Sequence, residues 1–216
     1  MDIKQEELKI KKNFILILKG KAEKKLHFKY FLSVLLFFGI CLMFSQLLFP
    51  GGYSILKYHI SAQGDTYLNP LGCWFFIFGT SSTAILLIPH FFYMYRRIMP
   101  TLGLITNLMT LSAFIGCIGL FFVGIIPRNI EGIDWLHDFG ADLAFTGLGL
   151  SAFFSLFVMI RKLWLKEDKP GILGFLIIYG TTITLGVFVV VTQNTIQQWL
   201  GLFTVLNWVI LSFIFL

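Results

Sequence analysis

"LSAFIGCIGLFFVGIIPRNIEGIDWLHDFGADLAFTGLGL", residues 111–150, decides the fold. Two apolar stretches flank one short polar loop. Pro127 stops the first stretch, and Arg128, Glu131, Asp134, His137 and Asp138 gather before the second is under way. An apolar run of about 20 residues with almost no charge is long enough to cross the hydrocarbon of a bilayer as a helix. The stretch therefore reads as a helical hairpin with both arms in a membrane.

The rest of the chain follows the same pattern. Of its 216 residues 57% are hydrophobic and 13% charged, too little polar sequence to cover that much apolar sequence in water, which excludes a soluble domain. Six spans are expected, at 30–49, 71–95, 101–126, 139–160, 172–191 and 200–216, the last starting at Leu200 or a turn earlier at Ile196. The expected fold is all-α: a polytopic membrane protein, with a six-transmembrane-helix bundle over 30–216. Ahead of it, 1–29 is a basic cytoplasmic segment. Its apolar core, 14–18, is too short to span and fits a helix lying on the membrane surface better than a disordered basic tail. The opening "MDIKQEELKIKKNF" is too polar for the apolar region of a cleaved signal peptide, so the first span is expected to be a retained anchor.

Charge sets the expected orientation. Fifteen of the 17 Lys and Arg residues precede span one or lie between spans two and three or four and five, and only Lys57 and Arg128 lie on the other side. The positive-inside rule then places both termini in the cytoplasm of a cell-membrane protein. The net charge of +6 is accounted for by this bias and by attraction to anionic lipid headgroups, and no nucleic-acid motif accompanies it.

Few motifs carry chemistry. Cys41, Cys73 and Cys117 lie in apolar segments without zinc or redox spacing. There is no Gly-x-Ser-x-Gly elbow, no His-Glu-x-x-His and no recognisable cofactor motif, so no cofactor is expected. Gly116, Gly119 and Gly124 in span three, and Gly147 and Gly149 in span four, suit close helix approach. Pro89 is expected to kink span two and free a carbonyl that His90 satisfies.

The loops on the outer side hold "YSILKYHIS" (53–61), "NPLGCWFFIFG" (69–79) and "VGIIPRNIEGIDWLHDFGADLAF" (123–145). On these residues the chain resembles the six-span prokaryotic membrane proteins catalogued as domain of unknown function 998. The matching positions are Tyr53, Ser54, Ile60, Ser61, Asn69, Gly72, Gly124, Pro127 and His137, with Ile126 where Phe is usual. That family is distantly similar to the eukaryotic DRAM, Frag and Sfk group, associated with lipid handling and membrane organisation. The resemblance implies a six-span architecture over about 30–216 and no particular reaction.

Asp134, Asp138 and Asp142 fall four residues apart, so on a helix they form one stripe, with His137 beside it. Asp142 would lie about 12 Å along the axis from Asp134. A carboxylate facing lipid at mid-bilayer costs about 2.5–3.5 kcal/mol on insertion scales, so Asp142 is expected to face the bundle interior, a partner or a wet cavity. Three readings compete. In the first, Asp134 or Asp138 caps span four, and Asp142 and His137 hydrogen-bond to neighbouring spans. In the second, His59, Lys57, Arg128, His137 and Asp142 bind a lipid headgroup or lipid-linked group from the outer leaflet. In the third, His137, Asp138 and Asp142 support metal-assisted hydrolysis, although no His pair shares a helix. A small transporter, needing a homo-oligomer or an unknown membrane partner, ranks below lipid binding, because paired helix breaks and midplane charges are missing. The expected site is His137, Asp138 and Asp142, supported by His59, with membrane lipids as the expected partners.

Overall fold

The computed structural model describes residues 3–165 and 195–215, with 171, 173, 174, 176, 177 and 179–181 between them. Regular structure in the described residues is helical: α1 (Ile3–Leu18), α2 (Lys24–Leu47), α3 (Cys73–Leu86), α4 (Ile88–Ile98), α5 (Gly103–Ile125), α6 (Asp134–Trp164) and α7 (Ile196–Phe215). One 3-10 turn, Ile60–Gly64, interrupts the long loop between α2 and α3. Five stretches are long and apolar enough to cross a membrane: α2, α3 together with α4, α5, α6 and α7. They coincide with the first, second, third, fourth and sixth expected spans. The fifth, 172–191, lies for the most part outside the described residues.

Two helices begin earlier than hydropathy suggests. α2 starts at Lys24 rather than near residue 30, because His27 and Phe31 continue its buried face for another turn. Lys24 itself lies over the Phe213 ring and donates to the Ile214 carbonyl at 3.2 Å, so its stem packs while its charge stays at the edge. α6 starts at Asp134, where an anion in the first turn is favoured by the helix dipole. At 31 residues α6 is about 46 Å long, well beyond the roughly 30 Å of hydrocarbon, so its polar first turns extend past the apolar layer.

Glycine sets the closest helix contact. Gly116 and Gly119 on α5 face Gly140 and Gly147 on α6. A methyl group placed on Gly119 would stand 2.3 Å from the Ala144 nitrogen, and one on Gly147 would stand 2.4 Å from the Gly116 nitrogen. Backbone thus packs on backbone, where lipid offers no hydrophobic drive and close dispersion contact must hold the helices together. Gly124 makes the same kind of approach to Ser81 of α3. Gly149 does not: nothing lies within 4 Å of its missing methyl, because it points away from α5. The expectation for Gly149 is corrected accordingly.

The break between α3 and α4 has a definite cause. Pro89 has no N–H, and the His90 N–H turns to Leu87 at 3.0 Å. The Leu86 carbonyl is left over, and the Tyr30 hydroxyl of α2 donates to it at 2.6 Å. The sequence assigned that task to His90; Tyr30 performs it, and the His90 ring turns towards α2 instead. Around the break a core forms from Phe91, Met94 and Ile98 of α4, Met109 and Ala113 of α5, Val158 and Met159 of α6, and Trp208 of α7. The Trp208 indole N–H is satisfied by Ser155 at 2.9 Å.

At the basic end, α1 turns back through Gly20, whose φ of 60° is easy only for glycine. A side chain there would run into the Phe92–Tyr93 backbone at 2.5 Å, and Arg96 Nε donates to the Lys19 carbonyl at 2.9 Å. This pins α1 beside α4 and leaves Leu8, Ile10, Phe14, Ile15 and Leu18 exposed along α1.

Candidate functional site: a cavity beside His137

The end of the bundle opposite the basic residues is closed by the α2–α3 and α5–α6 loops and the first turn of α7, which are tied to one another. Asn69 is fully buried at the centre. Its amide nitrogen donates to the Ser45 carbonyl at 3.1 Å, the Ser45 hydroxyl at 3.1 Å and the Gln63 carbonyl at 2.9 Å. Its amide oxygen accepts from the Gly72 N–H at 3.2 Å. Ser45 sits in the last turn of α2, and the Phe49 N–H turns to Gln46 rather than to it. Asn69 therefore supplies a donor to a helix carbonyl left over at the C-terminus.

A second tie joins the first loop to the α5–α6 loop. The Thr66 N–H donates to the Asn129 amide oxygen at 3.0 Å, and the Asn129 amide nitrogen donates back to the Thr66 hydroxyl at 2.7 Å. A third tie runs to α7. The Trp199 indole donates to the Tyr53 hydroxyl at 2.9 Å, and that hydroxyl lies 3.1 and 3.0 Å from the Tyr58 and His59 carbonyls. Burial raises the Tyr53 phenol above its ordinary value, and the hydrogen bond from Trp199 pulls the other way. A raised phenol keeps the folded state favoured below its ordinary pKa of 10.0, and the advantage fades as pH climbs through the folded value. Tyr53→Phe leaves the indole N–H without its partner and should cost about 1–2 kcal/mol. Faster amide exchange across residues 53–63, with exchange in α5 unchanged, is the expected reading.

Beneath these loops lies a cavity of about 100 Å³ among α2, α3, α5, α6 and α7. Its walls are mostly apolar, with Leu35, Phe38, Phe76, Leu120 and Leu202 among them. Ser61 and Gln198 line its loop end, 3.5 Å apart. Besides Asp138 at the rim, three further polar side chains are in the wall: His137 of α6 and Thr80 and Thr83 of α3. All three are buried. His137 Nδ1 is 2.6 Å from the Ile126 carbonyl, while its Nε2 has no partner among the described residues. Thr80 Oγ1 and Thr83 Oγ1 likewise have none. The contrast with other helical threonines is instructive. Thr106, Thr110 and Thr204 donate to the carbonyl four residues back, at 2.7, 2.8 and 2.7 Å. Thr80 and Thr83 keep their hydroxyls unspent.

A second cavity, about 320 Å³, lies between α2 and α7. It shares Leu35, Phe38, Leu202 and Leu206 with the first, so the two adjoin. Among the described residues its wall carries no charge, and Gln46 is its polar residue beside Trp199.

The structure brings together some of the expected residues and separates others. The aspartates do share one face of α6, but Asp134, Asp138 and Asp142 are all exposed, because the opposite face, Gly140, Ala144, Gly147 and Ser151, packs on the bundle. Asp142, expected to face the bundle interior, a partner or a wet cavity, is exposed and is not among the described residues that line either cavity. Neither Asp134 nor Asp138 caps α6: Ile133 holds the cap position and no side chain bonds there. Asp138 reaches the cavity rim and pairs with Arg128 at 3.7 Å, both partly exposed. Arg128 is thus already matched with an anion, and neither it, Lys57 nor His59 lines the cavity. Lys57 is exposed and His59 half-buried, its Nδ1 shielded and without a partner among the described residues. Among the described residues no three His, Cys, Asp or Glu side chains converge on one point, so the hydrolase reading has no ligand set there.

Sequence reasoning missed Thr80 and Thr83, since threonine in a span usually bonds to its own helix. It also missed a buried pair near the basic end. His27 Nε2 and His90 Nδ1 are 3.4 Å apart and fully buried. The pair is stacked among Tyr93, Phe31 and Phe213. The sequence reading places His27 in the segment before span one, and only the early start of α2 at Lys24 brings it into the bundle.

Comparison with known proteins finds no matching family, no matching curated protein and no matching solved structure, so the site is read from its own chemistry.

Proposed function

We propose that the chain is a six-span membrane protein with both termini in the cytoplasm, and that it holds a lipid or lipid-linked group from the outer leaflet in the cavity beside His137. One observation carries this reading. Three residues that line a single, mostly apolar cavity, His137, Thr80 and Thr83, each hold a buried polar atom, Nε2, Oγ1 and Oγ1, without a partner among the described residues. An unpaired buried polar atom costs about 1–3 kcal/mol, which an occupant able to hydrogen-bond recovers. The adjoining groove between α2 and α7 offers apolar surface to a chain. An amphiphile matches both parts. The resemblance to the family catalogued as domain of unknown function 998 fits the same picture, since Tyr53, Ser61, Asn69, Gly72 and His137 all lie in or around the loop clasp over this cavity.

Native mass spectrometry of the protein released from a mild detergent tests the reading. A discrete retained mass in the range of a lipid is expected, with most of it lost in His137→Phe. A bare protein mass under gentle release, in the presence of added membrane lipid, counts against it.

A further inference from the structure

Resting on that reading, we infer that the cavity recognises an uncharged lipid alcohol, whose hydroxyl donates a hydrogen bond to His137 Nε2. The tautomer of His137 carries the argument. Its Nδ1 lies 2.6 Å from the Ile126 carbonyl oxygen, which can only accept, so Nδ1 bears the hydrogen. In the neutral ring Nε2 then presents a lone pair. That nitrogen is shielded from solvent and has no partner among the described residues. What it lacks is a donor, and an ester carbonyl, an ether or a bare phosphate oxygen cannot supply one.

The threonines complete the match. A hydroxyl that donates to His137 still has lone pairs to receive hydrogen bonds. Thr80 and Thr83, one turn apart on α3, hold hydroxyl groups that bond no partner among the described residues. Charge argues the same way. No Lys or Arg lines either cavity among the described residues, and the ionisable neighbour at the rim is the Asp138 carboxylate. Arg128, the nearest cation to that carboxylate, is engaged by it at 3.7 Å. An anionic headgroup would find the two hydroxyls but no cation, and beside them a carboxylate and an acceptor nitrogen that repel it. An alcohol can donate to that nitrogen and accept from both hydroxyls. The apolar walls continuing past Leu35, Phe38, Leu202 and Leu206 then favour a long-chain alcohol over a small polyol.

Three probes with the same chain separate the possibilities: oleyl alcohol, its methyl ether and oleyl phosphate, each titrated into the full-length protein in detergent and followed by native mass spectrometry. The alcohol should bind about tenfold more tightly than the ether, the difference expected of one buried hydrogen bond, and more tightly than the phosphate. In Thr80→Val, which keeps the side-chain shape, that advantage should shrink. In His137→Phe it should vanish, while the ether binds as before. Excess glycerol should leave alcohol binding unchanged. Equal binding of alcohol and ether overturns the hydroxyl inference and leaves the lipid reading standing. Preference for the phosphate overturns it in favour of an anion. Displacement by glycerol makes the ligand a free polyol. Binding of none of the three chains removes the lipid reading itself.

Discussion

Gly147→Ala should destabilise the protein by about 3 kcal/mol or more, the upper end for forcing one extra carbon into a packed interface. The added methyl would stand 2.4 Å from the Gly116 nitrogen, 2.7 Å from the Gly116 α-carbon and 2.8 Å from the Ser112 carbonyl. All three neighbours are backbone. No side chain can rotate aside, so α5 and α6 must separate along the tightest contact in the bundle. Gly149→Ala, two residues further along the same helix, is the matched control. Nothing lies within 4 Å of its new methyl, and alanine favours a helix over glycine by about 1 kcal/mol. It should be neutral or mildly stabilising. Cys41, Cys73 and Cys117 are free and buried, so a thiol-reactive dye reports unfolding in detergent on heating. A sharp drop in midpoint for Gly147→Ala beside an unchanged or raised midpoint for Gly149→Ala is the expected pair of results. Equal midpoints would refute the backbone contact.

Replacing Asn69 should come next in size. Asn69→Ala removes donors from the Ser45 carbonyl, the Ser45 hydroxyl and the Gln63 carbonyl, and an acceptor from the Gly72 N–H. The Gln63 carbonyl keeps a weak donor in the Ser45 hydroxyl at 3.3 Å, but the Ser45 carbonyl faces a new void. A loss of about 2–4 kcal/mol is expected from the groups left unpaired. Asn69→Asp is the sharper test, because it keeps the shape and reverses the polarity. A carboxylate oxygen would then face two carbonyl oxygens in a buried site, and the loss should match or exceed that of alanine. The clasp around Asn69 closes the loop end of the cavity, so both variants should also weaken binding of the proposed lipid. Gly72 is bound to the same design: a methyl there would lie 2.4 and 2.5 Å from the two Asn69 amide atoms. An Asn69→Asp protein as stable as the parent would mean that the amide does not hold the loops.

The two replacements show where sequence and structure part. The spans were legible because membrane insertion is a local free energy, summed over about 20 consecutive residues, and α2, α3 with α4, α5, α6 and α7 all lie where the apolar runs are. The aspartate stripe was legible for the same kind of reason: residues four apart share a helix face whatever surrounds them. Its direction was not. Asp142 faces outward because Gly140, Ala144 and Gly147 carry α6 onto α5, and that choice depends on the partner surface, not on α6 alone. The same holds for the ring nitrogen of His137, whose tautomer is set by the Ile126 carbonyl across the loop, and for the idle hydroxyl groups of Thr80 and Thr83. Pairings across 63 residues, such as His27 with His90 and Thr66 with Asn129, leave no periodic trace in a chain. By itself the sequence determined a helical membrane protein, and of the residues lining the cavity it singled out His137 and Asp138. Only tertiary packing decided which of them meet, because apolar transfer acts on each segment separately whereas a hydrogen bond or a backbone contact exists only between two segments already in place.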